Sequence, residues 1–314
     1  MQRNRSAGIP PAIVTVVVCA TMLGLAGCAT PRPLDAAMPD AALPAHSASS
    51  GALTTRHPVT VLDRGTGAEL CVGGVAQSLP PQCGGPLLIG WDWSTWDGQF
   101  EEVSGVRWGE FVVTGDYTVG SSEADAGTFT VAEVRPATAD DHSGSEPSDF
   151  GTPCPEPEGG WRVLDESTTT PEARDEVFAR AEALEGYSVS WVDQSPNPAA
   201  AAEQPDEWAM NDPALTIVNV AVVGDTAAAE AALREVWGGM LCVTTAECTA
   251  AELDAVAEEV VSSSVPGFLG GGRNGIDETI GVWVVYDDGT LQSRYDQQYG
   301  PGVVEVQSAL VPAS

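Results

Sequence analysis

Two stretches of this chain cannot bury a core, and their positions decide what the remainder can fold into. Residues 29–56 run from Ala29-Thr30-Pro31-Arg32-Pro33 to His46-Ser47-Ala48-Ser49-Ser50 and beyond. Residues 136–160 run from Pro136-Ala137-Thr138-Ala139-Asp140 to Glu156-Pro157-Glu158-Gly159-Gly160. Stretches so rich in Pro, Ala, Ser and Gly carry too little apolar surface to offset the entropy of ordering them. The first is expected to be a disordered tether and the second an inter-domain linker. Two blocks of domain size are left, 57–135 and 161–314.

The first block is patterned for strands. Short apolar runs at 59–62, 69–72, 87–91, 106–114 and 128–134 are separated by Gly-bearing turns, and five such runs in a small domain predict an all-β, OB-like barrel. The second block alternates helix and strand signals. Thr170 caps a helix with Pro171 in its first position, Val177, Phe178, Ala181 and Leu184 on one face, and Gly186 at its end. Residues 187–192 alternate as a strand, 194–213 form a surface excursion, and 216–223 are a strand. Asp225 caps the next helix, and 240–244 are a strand. Thr249-Ala250-Ala251-Glu252 is a capping box. A hairpin over 268–273 and 280–286, a short helix from Thr290, and a strand over 303–310 complete the block. From Leu241 onward the order is β-α-β-β-α-β, preceded by an additional β-α, which predicts a ferredoxin-like α/β sandwich. The expected class is therefore α+β.

The element order over residues 249–310, with the run Val284-Val285-Tyr286-Asp287-Asp288-Gly289, is similar to the prodomains of secreted serine proteases of the α-lytic type. No protease sequence follows in this chain, so the resemblance implies no chaperone role in cis.

Near the N-terminus, Arg3 and Arg5 precede an apolar stretch over 12–25, broken only by Thr15, Thr21 and Gly24, which runs into Leu25-Ala26-Gly27-Cys28. Residues 1–28 resemble a bacterial lipoprotein signal peptide, and Leu25-Ala26-Gly27-Cys28 matches its lipobox. The resemblance implies diacylglycerol transfer to the Cys28 thiol, cleavage after residue 27, and acylation of the new amino group. Cys19 fits the motif poorly because bulky Val18 precedes it. An ordinary cleaved signal and a membrane-spanning helix are the alternatives, although a span needs roughly 20 apolar residues. The whole chain resembles envelope lipoproteins of high-GC Gram-positive bacteria. That resemblance implies a lipid-anchored, extracytoplasmic location with the membrane as a partner through Cys28, and no activity.

Charge narrows the choice of partners. The chain has 45 acidic residues against 13 basic ones, all Arg, and a formal net charge of −32. Phosphate backbones and anionic lipid surfaces are bound by Lys and Arg clusters, so nucleic acid is excluded as a partner. The seven cysteines fit an exported protein. With Cys19 in the signal and Cys28 lipidated, Cys71 and Cys83 enclose a short Gly/Pro loop and are expected to pair. Cys154 and Cys242 are taken as the second pair, which leaves Cys248 free. Zinc-type spacing is missing, and neither a metal nor a cofactor is expected.

No catalytic set emerges. His46 and His142 fall in the expected linkers and His57 at a domain edge, and no Gly-x-Ser-x-Gly elbow is present. The adjacent carboxylates Glu101-Glu102, Asp140-Asp141, Glu258-Glu259 and Asp287-Asp288 diverge in a helix or a strand, so solvated surface accounts for them. Glu123 and Asp125 are a fragment of a calcium loop that equally suits a plain turn. Gly270-Gly271-Gly272 requires no more than flexible backbone. Trp91, Trp93 and Trp96 form the densest aromatic cluster, three of nine tryptophans. Exposed, they would bind a sugar ring or a protein partner; buried, they would close the barrel. The expected function is a non-catalytic binding or interaction module of the cell envelope, with an envelope protein or glycan as partner. The alternative is a carboxylate-based cell-wall glycan hydrolase, whose two acids would come from separate elements.

Overall fold

A computed structural model describes residues 51–122, 125–142, 150–202, 206–263 and 265–313. The signal segment, Cys28, His46 and most of the tether lie outside the described residues, as does Glu123. The fold is mixed α+β, mostly sheet with few helices. No described helix is long and apolar enough to cross a membrane.

In chain order come β1 (Leu53–Thr55), β2 (Val59–Asp63), β3 (Ala68–Cys71), β4 (Leu87–Ile89), β5 (Glu101–Val103), β6 (Val106–Thr118) and β7 (Thr128–Pro136). The helix α1 (Pro171–Glu182) leads to β8 (Tyr187–Asp193), the short α2 (Glu207–Met210), β9 (Ile217–Val222), α3 (Thr226–Arg234) and β10 (Met240–Thr245). Then follow α4 (Ala250–Ser262), β11 (Phe268–Arg273), β12 (Ile280–Val284), α5 (Thr290–Tyr299), β13 (Val304–Ser308) and β14 (Leu310–Pro312).

The first sheet runs β14-β1-β6-β2-β3-β4-β7, with β5 on β6 and a further pairing of β6 with β7. As a whole it is not a closed barrel, because β1 and β14 continue outward past β6. The long β6 serves several partners because it is bulged between Thr114 and Gly115. A side chain at Gly115 would collide with the Thr130 carbonyl, so the close approach requires glycine there. Leu53, Val61, Leu70, Phe111, Val113 and Phe129 fill the interior, each about fully buried. Two sequence boundaries shift as a result. β1 lies inside the expected tether, ordered by pairing with β6 and β14. The expected last strand is divided, with β13 in the C-terminal sheet and β14 in the first. Val285 and Leu310 are buried in the first core, so the C-terminal part is packed against the β part.

The expected four-stranded ferredoxin-like sheet does not form. β10 pairs in parallel with β9, in the sheet β10-β9-β8, while β11-β12-β13 make a separate sheet. Instead, the second block is one unit occurring twice. In each, a helix precedes two antiparallel strands, and a second helix crosses over to a third strand parallel to the second. The correspondence extends to details. Thr170 caps α1 and Thr249 caps α4. The register slips at one position in each first strand, between Tyr187 and Val189 and between Phe268 and Gly270. Val223 N–H donates to the Gly186 carbonyl at 2.7 Å, and Val285 N–H to the Gly267 carbonyl at 2.8 Å. Each sheet buries one face under its own helices. Val218, Val220 and Val222 pack with Val177, Ala181 and Leu233, and Ile280, Val282 and Val284 pack with Leu253, Val256 and Leu291.

The units differ on the opposite face. In the first, the segment before α1 lies across it as a strap. Cys154 is bonded to Cys242 of β10, and Trp161 packs on Ile217, Met240 and Cys242. The Trp191 indole donates to the Phe150 carbonyl at 3.1 Å, and Thr152 N–H to Asp193 at 2.9 Å. Burial pushes the Asp193 carboxyl up, but hydrogen bonds from Thr152 and Ser195 outweigh it and hold the group below its ordinary range. Half of the expected linker is thus fixed structure. Both expected disulfides, Cys71–Cys83 and Cys154–Cys242, are present. Cys248 is disulfide-bonded as well, which corrects its assignment as a free thiol.

Candidate functional site

Among the described residues no strap crosses the second unit, since only residues 246–249 separate β10 from α4, and its outer face forms one wall of a cleft. Strand alternation puts Gly281 and Trp283 on that face, opposite the helix-facing Ile280, Val282 and Val284. Gly270 and Gly272 of β11 pair with Trp283 and Gly281, and Glu305 and Gln307 of β13 pair with Gly281 and Trp283 on the other side. Glycine at these positions leaves room for the indole to lie across the sheet. A Cβ at Gly281 would stand 3.0 Å from its six-membered ring, and one at Gly270 3.7 Å from it. The Trp283 indole N–H donates to Gln307 Oε1 at 3.2 Å, which fixes the ring while 38% of the residue stays exposed.

Across from this face stand β2, the end of β3 and the loop that follows it. Between the two walls lies a cleft of about 1030 Å³. Leu269, Val72 and Val75 give it apolar wall, and Arg56, His57, Gln77 and Gln307 give it polar groups. Arg56 is held by its Nε–H, which donates to the Ser308 carbonyl at 3.1 Å. Among the described residues Glu110 is the one carboxylate in the lining, and it lies 3.5 Å from the His142 imidazole. The cleft can take an elongated ligand bearing a flat apolar ring face and hydrogen-bonding groups.

The tryptophan cluster singled out in the sequence is elsewhere and packed inward. Trp93 is 7% exposed, and its indole donates to Asp63 at 3.1 Å. Trp91, Trp96 and Trp93 surround the buried Phe111 at ring-centroid distances of 5.0, 5.3 and 6.3 Å. These three residues pack on the first core, Trp93 buried and Trp91 and Trp96 half-buried.

The adjacent carboxylates are occupied locally. Glu102 pairs with Arg107 at 2.8 Å and Asp141 with Arg135 at 2.6 Å. The Arg135 guanidinium, with Thr138, holds the Asp141 carboxyl well below the usual range. Glu259 accepts from Gln298, and Asp287 accepts from the Leu291 and Gln292 N–H groups at the start of α5. Asp125 accepts from Ser121 and Gly127 and braces the β6–β7 turn. Among the described residues no group of three His, Cys, Asp or Glu converges as a metal site would.

Trp283 escaped the sequence reading because 282–285 is a continuous apolar run, which does not say which side faces the core. The signal that could have found it is the glycine at 270, 272 and 281, one pair apart on adjoining strands. No protein-family model, curated protein or solved structure matches this chain.

Proposed function

We propose that the protein is a lipid-anchored, extracytoplasmic binding module of the cell envelope that holds wall glycan in the cleft beside Trp283 without turning it over. The observation that carries this reading is the Trp283 indole laid flat and exposed on a glycine-paved sheet. An immobilised indole face stacks on a sugar ring at little ordering cost. Gln307, Arg56 and His57 offer hydrogen bonds to the hydroxyls around such a ring. A glycan hydrolase needs two facing carboxyl groups, and among the described residues Glu110 is the carboxylate in the lining of this cleft. The strong negative charge suits a protein held near an anionic envelope without adhering to it. Within the first sheet we read β2, β3, β4, β7 and β6 as an OB-like unit; each is paired with the next in that order and β6 with β2, with β4 and β7 parallel.

Co-sedimentation with insoluble peptidoglycan tests the site. Trp283→Ala should weaken retention by about 30-fold, the effect of removing a binding hot spot, while unfolding by urea changes little because the side chain is on the surface. Retention equal to that of the wild type would sink the assignment. The anchor is tested separately. Cys28→Ala should release the protein to the medium and abolish incorporation of labelled palmitate; a variant that stays on the membrane, with no label in the wild type, would refute the lipoprotein reading.

A further inference from the structure

Arginine is scarce in this chain, with 13 basic residues set against 45 acidic ones, and several arginines are already neutralised. Arg64, Arg107, Arg135, Arg180, Arg234 and Arg273 each lie within 3.6 Å of a carboxylate. Arg56 has no such partner among the described residues, although it is exposed and stands in the wall of the cleft.

Its surroundings fix it without neutralising it. The Arg56 backbone N–H donates to the Ala309 carbonyl at 3.0 Å and its Nε–H to the Ser308 carbonyl at 3.1 Å. Main chain and side chain are thus both held where β13 gives way to β14. The Nε bond leaves the terminal Nη groups without a partner among the described residues, and these form the fork that meets a carboxylate or a phosphate through parallel hydrogen bonds. Glu110, the carboxylate of the lining, is set against the His142 imidazole instead. Ser308 directly follows Gln307, whose Oε1 holds the Trp283 indole at 3.2 Å. The end of one strand therefore fixes both an aromatic face and an unneutralised guanidinium in the lining of one cleft.

We propose that this cleft selects acidic sugars, with the ring stacked on Trp283 and an anionic substituent, a carboxylate or a phosphate, held in the Arg56 fork. The inference rests on the glycan reading of the cleft and adds the charge of the ligand to it. A hydroxyl meeting the fork leaves the guanidinium charge unmatched, whereas an anion matches it, and hydrogen bonds between charged groups are about twice as strong as neutral ones. The net charge of −32 repels anions, but at physiological ionic strength screening limits that repulsion to roughly 8 Å. Selection then falls to contact inside the cleft, where the ring and the anion are recognised together.

Calorimetric titration of the intact protein at about 0.15 M salt with tetrasaccharides of matched length tests the proposal. The probes are neutral chitotetraose, chitotetraose phosphorylated at O6, a tetrasaccharide of alternating glucuronate and N-acetylglucosamine, and the last with its carboxylates amidated. An acidic probe should bind about tenfold more tightly than its uncharged counterpart, and the probe with the larger gain identifies carboxylate or phosphate as the group selected. Arg56→Gln should reduce that ratio to within about twofold of unity. A general disturbance of the cleft would weaken charged and uncharged probes alike, so the ratio isolates the fork. Trp283→Ala should weaken every probe and keep the ratio. Equal affinity for charged and uncharged probes in the wild type would overturn the proposal while leaving the glycan reading intact. A preference undiminished in Arg56→Gln would overturn it as well, and a wild type that binds none of the probes would overturn both readings.

Discussion

Replacing Phe111 with alanine is expected to destabilise the protein by about 3–5 kcal/mol, the usual range for emptying a large buried aromatic site. The ring is fully buried. Trp91, Trp93 and Trp96 meet it from three directions, and Phe100 supports Trp93 at 4.9 Å. Those indoles sit on a turn and a short 3-10 helix, Trp93–Trp96, started by the Asp92 side chain accepting from Ser94 N–H. Apart from the Trp93 indole bond to Asp63, packing on Phe111 is the main hold on that segment among the described contacts. Urea unfolding followed by tryptophan fluorescence would measure the effect, with the cluster moving to a wetter environment before the main transition. A loss below about 1 kcal/mol would mean that the segment is held by something other than this ring.

The second large effect concerns the strap. Cys154 and Cys242 are 88 residues apart, and closing a loop of that length stabilises by roughly 4–5 kcal/mol in the chain-entropy model. Replacing both with serine should remove most of that amount. Hydrogen exchange should then accelerate over residues 150–165 and along β10, because Trp161 would no longer be held on Met240 and Ile217. Exchange as slow as in the wild type would show that the Trp191 and Asp193 hydrogen bonds hold the strap without the bridge. The shorter Cys71–Cys83 loop, of separation 12, is worth about 3 kcal/mol on the same basis. Its removal should therefore be the milder lesion for stability.

Local features were legible in the sequence. Thr170, Asp225 and Thr249 cap helices as their spacing indicates, because capping is settled within four residues. Helix faces such as Leu253, Val256 and Val260 are buried as periodicity requires. The Cys71–Cys83 pair was readable from its short loop, whereas Cys154–Cys242 was a choice among three possible pairings that the structure bears out. The candidate site was not. Trp283 lies in an apolar run, and which of its faces is covered depends on a strap that one unit has and the other lacks. The tryptophans that did stand out were conspicuous because they are needed in the core. Which of Cys154, Cys242 and Cys248 pair was not decided by the sequence, nor was the bonding of Cys248.

By itself, then, the sequence determined the helix caps, most of the strands and the strong negative charge, since these follow from short-range geometry and composition. Only the tertiary structure decided which strand pairs with which. Met240–Thr245 carries the pattern of a strand that opens a ferredoxin-like sheet, and nothing in it says that its neighbour is β9 and not β11. Backbone hydrogen bonds are the same for every partner. The choice is made by which apolar faces can be buried together, and here that placed β10 beside β9, carried β14 back to β1, and left one face of the second unit open around Trp283.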